Sequence, residues 1–141
     1  MSGISLFDKI PDDLPVIQRA LALQQAAASI GFEWPSVADG WCKLQEELVE
    51  LADAMARQDG ANMAEELGDA LFALVNLARQ LQIDPAQTLQ ATNEKFIRRL
   101  QHMERAARAE GACLADEPLA VQIDRYCQAK TAETGGVCQR S

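Results

Sequence analysis

The stretch MAEELGDALFALVNLARQL, residues 63–81, decides the fold. Beyond its first turn, Leu67, Leu71, Phe72, Leu74, Val75, Leu77 and Leu81 spread around most of a helix circumference, without the alternation of a half-buried strand. A helix apolar on nearly every side belongs in the middle of a bundle or at a subunit interface. Two acids nevertheless sit in it: Glu66, and Asp69 enclosed by Leu67, Ala70, Leu71 and Phe72.

Punctuation divides the rest of the chain into further helices. After Gly60, Asn62 and Glu65 have capping-box spacing and start the helix just described. Before it, Ser36 can cap a helix reaching about Gln58, in which Trp41, Leu44, Leu48, Leu51 and Met55 form a core-facing stripe. A first helix runs from about Asp13 to Ser29, with Pro15 in its first turn and Gly31 as its stop. GFEWPS connects these two, Trp34 being held out of helix by Pro35. Downstream, IDPAQ is the clearest boundary: Asp84 can cap, Pro85 fits the first helical position and Gln87 can complete the box. That helix runs to about Glu110 and stops at Gly111; a fifth spans about Asp116 to Glu133. The expected fold is all-α, with about five helices in one domain over residues 13–133, an N-terminal extension over 1–12 and a flexible tail over 134–141.

Composition supports that reading. The chain has 141 residues, 48% hydrophobic and 24% charged, enough for one real core and little more. A net charge of −8 argues against a nucleic-acid polymer or an anionic membrane surface as partner, because both require a positive field. A small anion carried with a divalent cation remains compatible. Cys42, Cys113, Cys127 and Cys138 form no CxxC pair and no Cys/His cluster, so reduced thiols are expected, without a zinc site or disulfide framework. The N-terminus does not read as a signal peptide, and the apolar run ALFALV is too short to cross a bilayer. The expected location is cytoplasmic, with no membrane partner.

Chemistry concentrates in KLQEELVELADAMA, residues 43–56, where Glu46, Glu47 and Glu50 crowd one helix. Like charges one turn apart repel, so this is either a solvated face or a place a cation is meant to occupy. Glu47 and Glu50 are three residues apart, and Glu66 and Asp69 repeat that spacing. At 3.6 residues per turn each pair spans roughly 60° of its helix, which makes two carboxylate claws. Acids converging between two antiparallel helices are costly unless compensated, and a hard divalent cation compensates them. All-oxygen ligation selects magnesium or manganese, commonly shared with a phosphate-bearing substrate. A di-iron carboxylate bundle would need Glu-x-x-His motifs, but the one histidine, His102, follows Arg99 by three and is expected to be exposed.

NEKFIRRL, residues 93–100, places Lys95 and Arg99 one turn apart, with Asn93 and Arg98 close by. A point charge and a planar fork at that spacing suit two oxygens of a polyphosphate; the competing reading is salt bridges to Glu94 or another acid. Beside an acidic claw, a cationic face is what a metal-bound phosphate ester demands. Phe96, Ile97, Leu100 and Met103 read as core, and Trp34 and Trp41 suit either stacking on a base or sealing a core.

EELVE, EELGD and NEKFIRR, together with GFEWP and IDPAQTLQ, resemble the MazG family of nucleoside triphosphate pyrophosphohydrolases over about residues 13–133. The likeness is specifically to the second domain of two-domain bacterial MazG. It implies an intertwined homodimer, or a dimer of dimers, of helical bundles. It also implies magnesium, or manganese, held by Glu46, Glu47, Glu50, Glu66 and Asp69, with Lys95 and Arg99 on the phosphates. The family's last helix carries an aromatic, commonly Trp, and a Lys four residues on; here these are Tyr126 and Lys130. With Asn93 and Arg98, they complete the substrate-binding candidates.

The implied reaction splits a nucleoside triphosphate, ribo or deoxy, into the monophosphate and pyrophosphate, a house-cleaning of the nucleotide pool. Lys95 and Arg99 would balance charge, and Glu46 or Glu50 would orient or deprotonate the attacking water. A narrower enzyme of the same fold, acting on dUTP, dCTP or phosphoribosyl-ATP, stays open. So does a non-catalytic helical dimer that binds nucleotides or partner proteins, although a binding module has no need of four metal-ligating carboxylates.

Overall fold

The computed structural model describes residues 3–134. They form α1 (Val16–Ser29), α2 (Val37–Ala56), α3 (Gly60–Gln80), α4 (Pro85–Ala109) and α5 (Leu119–Thr134), with a 3-10 turn at Leu114–Asp116. Among the described residues there is no strand, so the fold is all-α. The tail expected over 134–141 lies, apart from Thr134, outside them.

Helix starts follow side-chain chemistry. Ser36 Oγ accepts the Asp39 N–H at 3.1 Å and opens α2. Asp84 Oδ1 accepts the N–H groups of Ala86 and Gln87 at 2.9 and 3.1 Å and opens α4. Three starts differ from expectation. Asp59, not Asn62, caps α3: its Oδ1 accepts the Asn62 N–H at 3.3 Å, and a carboxylate there also meets the positive end of the helix dipole. Pro15 is extended, with ψ 144°, so α1 begins at Val16 and not near Asp13. Pro118 keeps Glu117 extended, with ψ 144°, so Asp116 closes the 3-10 turn and α5 starts at Leu119.

The chain divides into two compact units between Thr88 and Leu89. In the first, α2 and α3 make a hairpin through Arg57, Gln58 and Asp59, and α1 packs on α3. The buried line of α2 is Gly40, Leu44, Glu47 and Ala54; that of α3 is Ala70 and Leu77. Of the stripe expected to face the core, Leu44 is buried and Leu51 half-buried, while Trp41, Leu48 and Met55 remain exposed. Small residues are the reason. Gly40 and Ala54 let the helices approach closely along a narrow seam, and that seam runs through Glu47. A Cβ at Gly40 would collide with Gln80 Oε1. Gln80 cannot easily give way, because its Nε2 donates to the carbonyls of Trp34 and Ser36, each at 3.1 Å.

The second unit is built on a buried arginine that the sequence reading did not single out. Arg125 grips Glu117 bidentately, Nε to Oε2 at 2.7 Å and Nη2 to Oε1 at 2.6 Å, and Nη2 also reaches Glu110 Oε2 at 2.8 Å. The fork ties α5 to the end of α4 and to the 3-10 turn, over buried Met103, Ala107 and Ala129. Phe96 and Ile97, expected in the core, are exposed, and His102, expected at the surface, is half-buried with its Nδ1 out of solvent and unpartnered. Cys42 and Cys113 are free thiols, whereas Cys127 is disulfide-bonded, contrary to the expectation of reduced thiols throughout.

Hydrogen bonds from Arg125 hold the Glu110 and Glu117 carboxyls below the usual glutamate range. Carboxyls lowered in this way stabilise the fold above the ordinary glutamate pKa of about 4.3, and that contribution is lost as pH falls through the folded values. Arg125→Met should therefore lower the melting temperature at pH 7 and flatten its decline between pH 5 and about pH 3. Thermal melts followed by circular dichroism check both; parallel acid profiles in the two proteins would remove Arg125 as the cause.

Candidate functional site

Packing the α2–α3 seam brings Glu47, Glu66 and Asp69 together, with carboxylate oxygens within 4.8 Å of one another. Glu47 is only 6% exposed, and its Oε2 and Glu66 Oε2 are buried without a hydrogen-bond partner. The Glu66 carboxyl is raised above the usual range, first by burial, then by a hydrogen bond with Glu50 and by repulsion from Glu50, Asp69 and Glu47. Glu50 thus joins the group through Glu66. Glu46 does not: it sits 100° around the helix from Glu47, and its side chain is 66% exposed.

The cation found here was missed in the sequence. Lys43 Nζ lies 2.7 Å from Glu47 Oε1 and 3.7 Å from Glu46 Oε2, and the Glu47 hydrogen bond leads in raising its pKa while burial opposes. The signal was available, since Lys43 precedes Glu47 by four residues, the spacing of a helical ion pair. One ammonium cannot neutralise this many carboxylates. It occupies one oxygen of Glu47 and leaves the other turned to the cluster. A donor set of carboxylate oxygens alone, two of them buried and unpartnered, fits a hard divalent cation.

In the second unit α4 and α5 assemble the basic group. Arg99 is ion-paired to Glu133, Nε to Oε2 at 3.0 Å, and its Nη1 donates to the Tyr126 hydroxyl at 3.2 Å. Its guanidinium lies 5.6 Å from the Tyr126 ring centre and Lys130 Nζ 5.9 Å from it. Arg98 reaches the same Glu133 at 4.0 Å, from a largely exposed position, and Asn93 is exposed. Lys95, half-buried, has no ion-pair partner among the described residues. Glu133 is the acid that sequence alone left unnamed; Glu94 instead accepts from Gln90 at 2.9 Å.

Residues 41–104 match the family described as the MazG nucleotide pyrophosphohydrolase domain. That interval holds Glu46, Glu47, Glu50, Glu66, Asp69, Lys95, Arg98 and Arg99, but not Tyr126 or Lys130. The chain is 39% identical over 132 residues to a nucleoside triphosphate pyrophosphohydrolase of Escherichia coli (strain K12), covering 92% of this chain and 50% of that protein. It is 34% identical over 113 residues to the nucleoside triphosphate pyrophosphohydrolase/pyrophosphatase MazG of Thermotoga maritima, covering 80% and 43%. Against YabN of Bacillus subtilis (strain 168), itself uncharacterized, identity is 41% over 133 residues, covering 94% and 27%. The chain spans half or less of the length of these relatives.

A cluster this rich in carboxylate should respond to cations independently of any substrate. Millimolar magnesium or manganese should raise the melting temperature by several degrees at pH 7 and do so less as the carboxylates protonate. Lys43→Met should lower the metal-free melting temperature and enlarge the metal-induced rise. Equal metal responses in the two proteins would show that Lys43 does not share the cation's ligands.

Proposed function

We propose that this chain, whose residues 41–104 match the MazG nucleotide pyrophosphohydrolase domain, hydrolyses nucleoside triphosphates, ribo and deoxy, to the monophosphate and pyrophosphate. The observation that carries the reading is the pair of buried, unpartnered oxygens of Glu47 and Glu66 beside Asp69. Glu47, Glu50, Glu66 and Asp69 would hold magnesium or manganese. Such a cation, when bound, supplies charge neutralisation on phosphate oxygens and a lowered pKa for bound water.

The chain's own groups take the remaining roles. Lys43 fixes the Glu47 carboxylate by one oxygen, so the other keeps a constant direction. Glu50, one turn along α2 from Glu47 and close enough to Glu66 to raise its pKa, is the proposed acceptor for the water proton; Glu46, at the surface, is an outer contributor. Lys95, Arg99 and Lys130 are the proposed phosphate contacts, with Asn93 and Arg98 at the margin. Arg99 would exchange Glu133 for phosphate while the Tyr126 hydroxyl keeps its direction. A tryptophan could not do this, since indole only donates. Tyr126 therefore acts on the arginine and not as a base stacker.

Assembly follows from surface chemistry. On α3, Leu67, Leu71 and Leu74 are each about half exposed, as are Leu81 at its C-terminal end and Trp41, Leu48 and Met55 of α2. Apolar surface of this extent calls for a protein partner, and a second copy of this chain, as a homodimer or a dimer of dimers, is the proposal. A cytoplasmic nucleotide pool would be the setting.

Pyrophosphate release over a panel of NTPs and dNTPs, with and without magnesium, tests the activity. Asp69→Asn and Lys95→Ala should each lower kcat/KM by about a hundredfold or more with helicity unchanged. Full activity in either would remove that residue from the site. Sedimentation should give a dimer, and Leu74→Glu should unfold the protein; a stable, active monomer near the chain mass of 15.4 kDa would refute the assembly.

A further inference from the structure

We propose that the cavity between α1 and α3 receives the nucleobase of the substrate, an inference that rests on the triphosphate reading above. The cavity has a volume of about 580 Å³, within the range that holds a nucleoside-sized ligand. Phe7, Phe32, Trp34 and Phe72 give it aromatic walls, and Gln24 and Asn76 are the amides in its lining. Aromatic faces stack on any base, because every base has a π-face.

The two amides are already half used, and that sets what each has left. Gln24 is buried, and its Nε2 donates to the Phe72 carbonyl at 2.9 Å, so its Oε1 remains an acceptor without a partner. Asn76 Oδ1 accepts from Arg79 Nε at 3.0 Å, which leaves its Nδ2 as a donor. One acceptor and one donor suit the edge of a base, where N–H and acceptor groups stand side by side.

Placement along α3 links the cavity to the acids. Asn76 follows Asp69 by seven residues, so the two lie within about 20° of each other on the helix, roughly 10 Å apart along the axis. Phe72 comes between, roughly 60° from Asp69. The cavity therefore opens on the same side of α3 as Asp69, one to two turns further on, at the remove a ribose would bridge. The other aromatic candidate, Tyr126, is already engaged by Arg99, by Lys130 and by Phe96 at 6.5 Å between ring centres.

Calorimetric titration with a non-hydrolysable α,β-methylene nucleoside triphosphate and with inorganic tripolyphosphate, both with magnesium, tests this on the full chain. The nucleotide should bind about tenfold or more tightly than tripolyphosphate. Phe72→Ala and Trp34→Leu should erase that difference and leave tripolyphosphate affinity unchanged, with circular dichroism verifying the fold. In Trp41→Phe, where Trp34 is the only tryptophan, the nucleotide but not tripolyphosphate should quench fluorescence. A base-dependent gain that survives both cavity variants, or is lost only in Tyr126→Ala, would overturn the cavity assignment while the triphosphate reading stands. So would equal wild-type affinity for the two ligands. Failure of both to bind would instead overturn the triphosphate reading, and this inference with it.

Discussion

Glu47 cannot leave the seam between α2 and α3. It shares one helical line with Gly40, Leu44 and Ala54, so closing the seam over those small and apolar side chains takes the carboxylate out of water with them. Everything chemical in the first unit follows from that burial. An ionised carboxylate in such a place needs compensation, and the hairpin supplies Lys43 for one oxygen while turning the other toward Glu66 and Asp69. The same packing that stabilises the hairpin therefore concentrates negative charge at one point along it.

The two units treat buried charge in opposite ways. Arg125 is as buried as Glu47, but its fork meets two glutamates, and both carboxyls are lowered in pKa by it. That charge is satisfied internally and serves as a fastening. Around Glu47 the balance is left open: Glu66 is raised, and two oxygens lack partners. A group that folding leaves under-compensated in this way is poised for something from outside, and a closed network is not. The contrast separates the fastening from the candidate site without appeal to any relative.

A third feature separates single-chain packing from the finished molecule. Of the leucines of α3 that periodicity marks as core, Leu77 is buried but Leu67, Leu71 and Leu74 are half exposed, because a hairpin and one further helix cover only part of an all-round apolar helix. Their exposure and the carboxylate cluster belong to the same element, so whatever covers the apolar side also sets the surroundings of the acids.

Much of this was legible in the chain itself. Helix number and class, the caps Ser36 and Asp84, and the paired acid spacings follow from local rules that operate within a few residues, and so did the cationic pair Lys95 and Arg99. What local rules could not supply was the choice among competing partners. Asp59 displaced Asn62 as a cap because it lay nearer the true first turn. Glu133 of α5 became the companion of Arg99 because packing brought it within reach, whereas helical spacing alone already set Lys43 beside Glu47, and the stripe of α2 narrowed to Gly40, Leu44, Glu47 and Ala54. Periodicity states which residues share a face. Only the approach of a second helix decides which of them lose their water, and it is that loss which sets one glutamate of three at the centre of the carboxylate cluster.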